Sequence, residues 1–220
     1  MFPLTTTLNH IASRNPCDIG VPGGRWEVGM AAAGKSEPDD EPISYEAILD
    51  AVGLDDALWC CRAEPQHAGI WRRFAVWCAR HVQHLMTDQN SIAVLDVAER
   101  HANGMATDQE LAVAWDGAKA AVKETDSTAY WCAALAAVHA SYDDVSFKTC
   151  EVADCCQDAA WFEAFDAKLP PIYKHLCHTY ADRAAEDAVD AAKAAQSAAF
   201  RQLVTTGTLP ALTQRLEVAA

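Results

Sequence analysis

From Ser44 onward the apolar residues of this 220-residue chain return at three- and four-residue steps, and β-branched residues nowhere alternate for long enough to make a strand. That period restricts the chain to helices that each bury one stripe. Trp71, Phe74, Cys78, Val82 and Leu85 form such a stripe in a helix expected from about Gly69 to Met86. Polar residues mark the helix starts. Ser44 opens a helix reaching Leu49, and Asp55-Asp56 open one carrying Leu58, Trp59 and Ala63. Thr87-Asp88 precede Val94, Leu95, Ala98 and Ala102, a helix that Asn103-Gly104 closes in left-handed conformation. Thr107 with Glu110 three residues on has capping-box spacing and opens a helix carrying Leu111, Ala114, Trp115 and Ala118. Three more helices are expected. One starts at Asp126 or Ser127 and carries Trp131, Leu135 and Val138. The second runs from Ser146 to Ala167 and is stopped by Pro170-Pro171, and the third runs from Ile172 to Val204.

Alanine supplies about one residue in five, which favours helices that approach closely and bury little area per residue. In the last helix the expected seam is Tyr173, Leu176, Tyr180, Ala184, Ala188, Ala191 and Ala195, with Asp182, Glu186, Asp187 and Asp190 making the other side acidic. The fold class is all-α: a bundle of about seven to eight helices over residues 43–205, with a tail over 206–220. Residues 1–42 read as an irregular arm, because Pro16, Gly20, Pro22-Gly23-Gly24, Gly29, Gly34, Pro38 and Pro42 interrupt any long element. Ile11, Ile19 and Trp26 are its candidate docking residues. A peripheral arm of this kind is expected to be removable with the cooperative melt nearly intact.

The 17 basic against 31 acidic side chains leave a net charge of −14, a field that repels the backbone of a nucleic acid. The longest useful apolar run, Trp131 to Val138, is far short of a bilayer span. The opening Met-Phe-Pro-Leu has no charged region ahead of an apolar one, so a cytoplasmic location is expected. Nine cysteines, an odd number with two adjacent pairs, make a poor disulfide framework and read as reduced core thiols.

Few patterns carry chemistry. Gly29-Met-Ala-Ala-Ala-Gly34-Lys35-Ser36 has the letters of a phosphate-binding loop. It lacks the preceding buried strand, and Glu37-Pro38-Asp39-Asp40-Glu41-Pro42 follows where a helix should start, so no nucleotide is expected. Cys78, His81 and His84 are soft ligands on one helix, to which His175, Cys177 and His178, or Cys150, Cys155 and Cys156, could add. None has the spacing of a recognised zinc site. Asp154 with Asp158, and Glu163 with Asp166, pair carboxylates at helical spacing, as chance allows in so acidic a chain. There is no nucleophile elbow. The reading is therefore non-enzymatic, with no cofactor and no bound metal. A metal- or redox-responsive Cys/His module is the alternative. Trp71, Arg72, Arg73, Trp77 and Arg80 combine the residue types that anchor protein interfaces, and with the acidic face of the last helix they are the candidate partner-binding residues.

Asp40-Glu-Pro-Ile-Ser-Tyr-Glu-Ala-Ile-Leu49 leads into Gly53-Leu-Asp-Asp-Ala-Leu-Trp-Cys-Cys-Arg-Ala63. Arg73-Phe-Ala-Val-Trp-Cys-Ala-Arg80, His84-Leu-Met-Thr-Asp88 and Val94-Leu-Asp-Val-Ala-Glu-Arg-His-Ala-Asn-Gly104 follow. These runs resemble uncharacterised alanine-rich helical proteins of phages and prophages and, more distantly, the immunity proteins of bacterial polymorphic-toxin systems. The resemblance covers about a third of the chain by motif and another third by composition. It implies a small cytoplasmic protein that acts by binding a host, phage or toxin protein, and it transfers no catalytic residue.

Overall fold

A computed structural model describes residues 2–122, 128–168 and 178–212. Among them are nine α-helices and one two-stranded ribbon, an all-α bundle. The N-terminal segment holds β1 (Thr5–Thr6), α1 (Leu8–Ala12) and α2 (Arg25–Ala32). Then come β2 (Ile43–Ser44), α3 (Tyr45–Trp59), a 3₁₀ turn at Cys60–Ala63, and α4 (Ala68–His81). The bundle continues with α5 (Gln89–Ala102), α6 (Asp108–Ala121), α7 (Thr128–Ala140), α8 (Val145–Lys168) and α9 (His178–Thr206).

The caps work as their chemistry requires. Ser44 Oγ accepts from the Ala47 amide at 3.1 Å, and an Asp88 carboxylate oxygen accepts from the Ser91 amide at 2.7 Å. Thr107 and Glu110 form the reciprocal box: Thr107 Oγ1 accepts from the Glu110 amide at 3.2 Å, and Glu110 Oε2 accepts from the Thr107 amide at 2.8 Å. Gly104 has φ +71° just past α5. Within α3, Gly53 at φ +80° and ψ −178° breaks the helix, so the Ser44 and Asp55-Asp56 helices are two limbs of one kinked element. The expected start at Asp126 or Ser127, the stop at Pro170-Pro171 and the start of the last helix at Ile172 lie outside the described residues.

α8 occupies the centre, packed on α7, α9 and α4, while α5 packs on α6 and α4. α7 makes its close approach with Ala133, Ala136, Ala137 and Ala140, all fully buried. Trp131 does not turn inward: it is 45% exposed, because the α7–α8 contact takes the alanine face. Of the expected α9 seam, Tyr173, Leu176 and the side chain of Tyr180 lie outside the described residues, and the remainder differs in phase. Ala185, Ala188, Ala192 and Ala199 are its buried alanines, with Gln196 among them, while Ala184, Ala191 and Ala195 are half-buried. Alanine pairs at 184–185 and 191–192 leave both phases open, and the partner helix selects the one that brings Gln196 to its hydrogen-bond partners on α8. Gln196 then registers α9 on α8, accepting from Gln157 Nε2 at 2.8 Å and donating to the Ala153 carbonyl at 3.2 Å.

Residues 2–42 contain no helix longer than eight residues, yet several of them are seated in the core. β1 pairs antiparallel with β2, Thr5 opposite Ser44. The Leu4 amide donates to the Val204 carbonyl at 2.8 Å, and the Leu4 carbonyl accepts from the Tyr45 amide at 3.1 Å. Leu4, Leu8, Ile11 and Met30 are at most 7% exposed. Of the three expected docking residues, Ile11 is buried and Trp26 packs half-buried on the core, whereas Ile19 is exposed.

Candidate functional site

The arginine–tryptophan run of α4 is a strut, not a surface patch. Trp71 is fully buried against Tyr45 and Phe200, with ring centroids 5.0 and 6.3 Å away, and its indole N–H donates to the Glu64 carbonyl at 3.1 Å. Arg72, 2% exposed, closes the end of α7 by donating to the carbonyls of Ala140, Tyr142 and Asp143 at 3.1, 2.9 and 3.0 Å. Burial lowers its pKa to about 10, partly opposed by the nearby Asp143. Trp77 is 7% exposed and donates to the Pro210 carbonyl at 3.0 Å, while Arg73 donates to the Gly207 carbonyl at 3.2 Å. The chain's own C-terminal stretch thus lies against α4. Arg80 is held by Gln83, Asp96 and Glu99. As partner-binding residues, Trp71, Arg72 and Trp77 are corrected by their burial: the amphipathic stripe of α4 is wide enough to take both tryptophans and the arginine between them.

On α9, Glu186, Asp187 and Asp190 are exposed as an acidic face, and the side chain of Asp182 lies outside the described residues. Within the Gly29–Ser36 octapeptide, residues 29–32 belong to α2, and Lys35 Nζ is paired with Asp39 at 2.8 Å and with Glu41. The octapeptide has the letters of a phosphate loop and a different backbone.

The soft ligands scatter. Cys78 is fully buried, His81 Nδ1 stands 2.9 Å from the Trp77 carbonyl, and His84 Nε2 lies 3.0 Å from each Glu163 oxygen. His175, Cys177 and the side chain of His178 lie outside the described residues, as does that of Asp166. Among the described residues no three His, Cys, Asp or Glu side chains gather closely enough to hold a metal ion. The eight described cysteines are free thiols. Burial pushes Cys60, Cys150 and Cys155 up to about 12 and Cys132 up to about 11, away from the thiolate that redox chemistry needs. Asp154 and Asp158 are raised by local desolvation, Asp154 further by the charges of Asp55, Asp158 and Glu151.

The structure assembles a feature that no local pattern announces. Arg62, in the 3₁₀ turn after α3, lies over the rings of Trp59 and Phe147, its Cζ 4.5 Å from each centroid. Beside Phe147 in the chain, Lys148 stands 5.6 Å from the Tyr142 centroid; the Tyr142 ring meets Trp115 edge-on at 5.9 Å, and Lys119 covers Trp115 at 4.4 Å. The result is a band of two groups, Trp59–Arg62–Phe147 and Lys148–Tyr142–Trp115–Lys119, joined through the chain neighbours Phe147 and Lys148 on α8. Phe147 and Tyr142 are 43% and 37% exposed. Arg62 Nε and Trp115 Nε1 are buried donors without a hydrogen-bond partner. Lys148 is also paired with Glu151 Oε1 at 3.3 Å, and most of the other described cations are consumed by carboxylates: Arg25 by Asp56, Lys193 by Asp55, Arg201 by Glu46 and Asp50.

These features define an all-α bundle with an acidic exterior, one aromatic–cation band and no helix, among the described residues, long and apolar enough to cross a membrane. Comparison with protein-family models, with curated proteins and with solved structures finds no match for this chain.

Proposed function

We propose that this chain is a non-enzymatic, protein-binding accessory protein of phage or prophage origin, immunity-like or directed at a host or rival protein, and that the aromatic–cation band is its contact surface. The observation that carries the reading is Arg62 held between Trp59 and the exposed Phe147. Tryptophan, tyrosine and arginine dominate the energetics of protein interfaces, and half-buried rings held by cations are already ordered before contact. The charge of −14 supports a partner with a basic rim, drawn in by long-range attraction and held at the band. The likeness of residues 40–104 to phage helical proteins supports the biological setting.

The test is affinity capture from host and phage-infected lysates with the wild type, Phe147→Glu and Arg62→Ala in parallel. A protein retained by the wild type and lost by both folded variants is the expected outcome. Retention of the same proteins by all three, or turnover of a small molecule with no partner retained, overturns the reading.

A further inference from the structure

Between α1, α2 and α3 the N-terminal segment leaves a groove of about 120 Å³. Leu8, Ile11, Met30 and Ile48 form the floor, and Trp26 and Trp59 stand among the half-buried residues above it. The floor residues are only 3 to 7% exposed although they line an opening. A trough wide enough for an α-helix, about 10 Å across with its side chains, would leave its floor open to water. What enters is therefore one ring or one alkyl chain thick. The gap has a fixed stop: a Cβ at Gly29 of α2 would come within 3.1 Å of Val52 Cγ1 on α3, so the two helices already touch there.

Charge decides the other end of the occupant. At the mouth Arg25 Nη2 lies 2.7 Å from Asp56 Oδ1, a donor and an acceptor side by side. An anionic head would meet Asp56 and the field of a chain at −14, while a cationic head would meet Arg25. A neutral group that both donates and accepts complements the pair. We infer that this groove binds a small neutral molecule with a flat or unbranched apolar body and one carboxamide-like head seated at Arg25 and Asp56. Such a site fits the general pattern of small-molecule sites, an apolar cleft with a few convergent polar groups. It is separate in kind from the protein contact proposed above. Cys17, an exposed free thiol lining the same mouth, reports on occupancy.

The experiment compares three probes with one body, octanamide, octanoate and octylammonium, by calorimetric titration of the full chain. Octanamide is expected to bind about tenfold more tightly than either charged probe. Saturating octanamide is expected to slow alkylation of Cys17. Ala51→Phe, placed on α3 at a half-buried position lining the groove, fills it and is expected to weaken octanamide about tenfold or more while the helical signal persists. Arg25→Gln is expected to shrink the preference for octanamide over octylammonium to about threefold or less. Equal affinity for the three heads, no octanamide binding up to its solubility limit, or unaltered binding by Ala51→Phe overturns the inference. Should Ala51→Phe not fold, the head preference and its loss in Arg25→Gln still decide it.

Discussion

Two buried polar side chains, Arg72 and Glu64, tie together segments more than fifty residues apart in the chain. Arg72 donates to three carbonyls at the end of α7, where a helix leaves its last carbonyls without donors of its own. Arg72→Met keeps much of the volume and strands those acceptors, so a loss of about 3 kcal/mol is expected in denaturant unfolding. A loss below about 1 kcal/mol would mean that water takes over the role. Glu64 is 5% exposed and accepts from Thr6 Oγ1 at 2.7 Å, with His10 Nδ1 also at 2.7 Å and Gln66 close by. Burial works to raise its pKa, but those hydrogen bonds outweigh burial and hold it below the ordinary value. A depressed carboxyl contributes stability that is complete above its unfolded pKa, about 4.3, and lost as pH falls through the lower folded value. The wild-type Tm is therefore expected to drop more steeply than that of Glu64→Gln on going from about pH 6 to about pH 3. Parallel curves would remove Glu64 as the source.

At the scale of elements, the N-terminal segment is where local and tertiary readings part. Its turns are dense enough to forbid a long helix, and that is what the chain shows. Turn density says nothing of docking, however, and Leu4, Leu8, Ile11 and Met30 are core residues. Each such side chain is worth about 1.5–3 kcal/mol on burial, against a typical total stability of about 5–15 kcal/mol. Deleting residues 1–40 is thus expected to cost well over a third of the stability, the reverse of what a peripheral arm would give. Thermal melting of the truncated chain decides it: a Tm and cooperativity like those of the full chain would show that the seated segment contributes little.

Charge is the property that acts over the whole molecule. The excess of acid is carried on exposed faces such as Glu186, Asp187 and Asp190, while the described cations are largely tied to carboxylates, carbonyls or rings. Replacing Glu186 and Asp190 by lysine is expected to slow association with a basic partner several-fold at low salt and to leave dissociation nearly unchanged. At physiological ionic strength, where screening acts over about 8 Å, the difference should shrink. An association rate indifferent to the reversal at low salt would make this face a solubilising surface and leave recognition to the band around Arg62.

Along the chain, the amino-acid sequence by itself determined what depends on neighbours within one or two helical turns. Ser44, Asp88 and the Thr107–Glu110 box are caps because their side chains reach amides three residues on, and Trp71, Phe74 and Cys78 form a stripe because 3.6 residues make a turn. The expected helix to Met86 instead stops at His81, and the buried Val82 and Leu85 fall on the C-cap and a 3₁₀ turn beyond it. Tertiary structure alone decided what depends on distance in sequence. The phase of the alanine seam in α9 was open because alanine fills adjacent rows, and packing on α8 closed it. Trp131 faces outward because alanines take the α7–α8 contact. Arg72 reads as a surface cation until the carbonyls of residues 140–143 come beside it, and Arg62 meets Phe147 only once α8 packs beside the turn after α3. Both the band and the groove join residues from separate elements. Their chemistry exists only after chain closure, where burial and long-range pairing, not local hydrogen bonding, set which side chains meet.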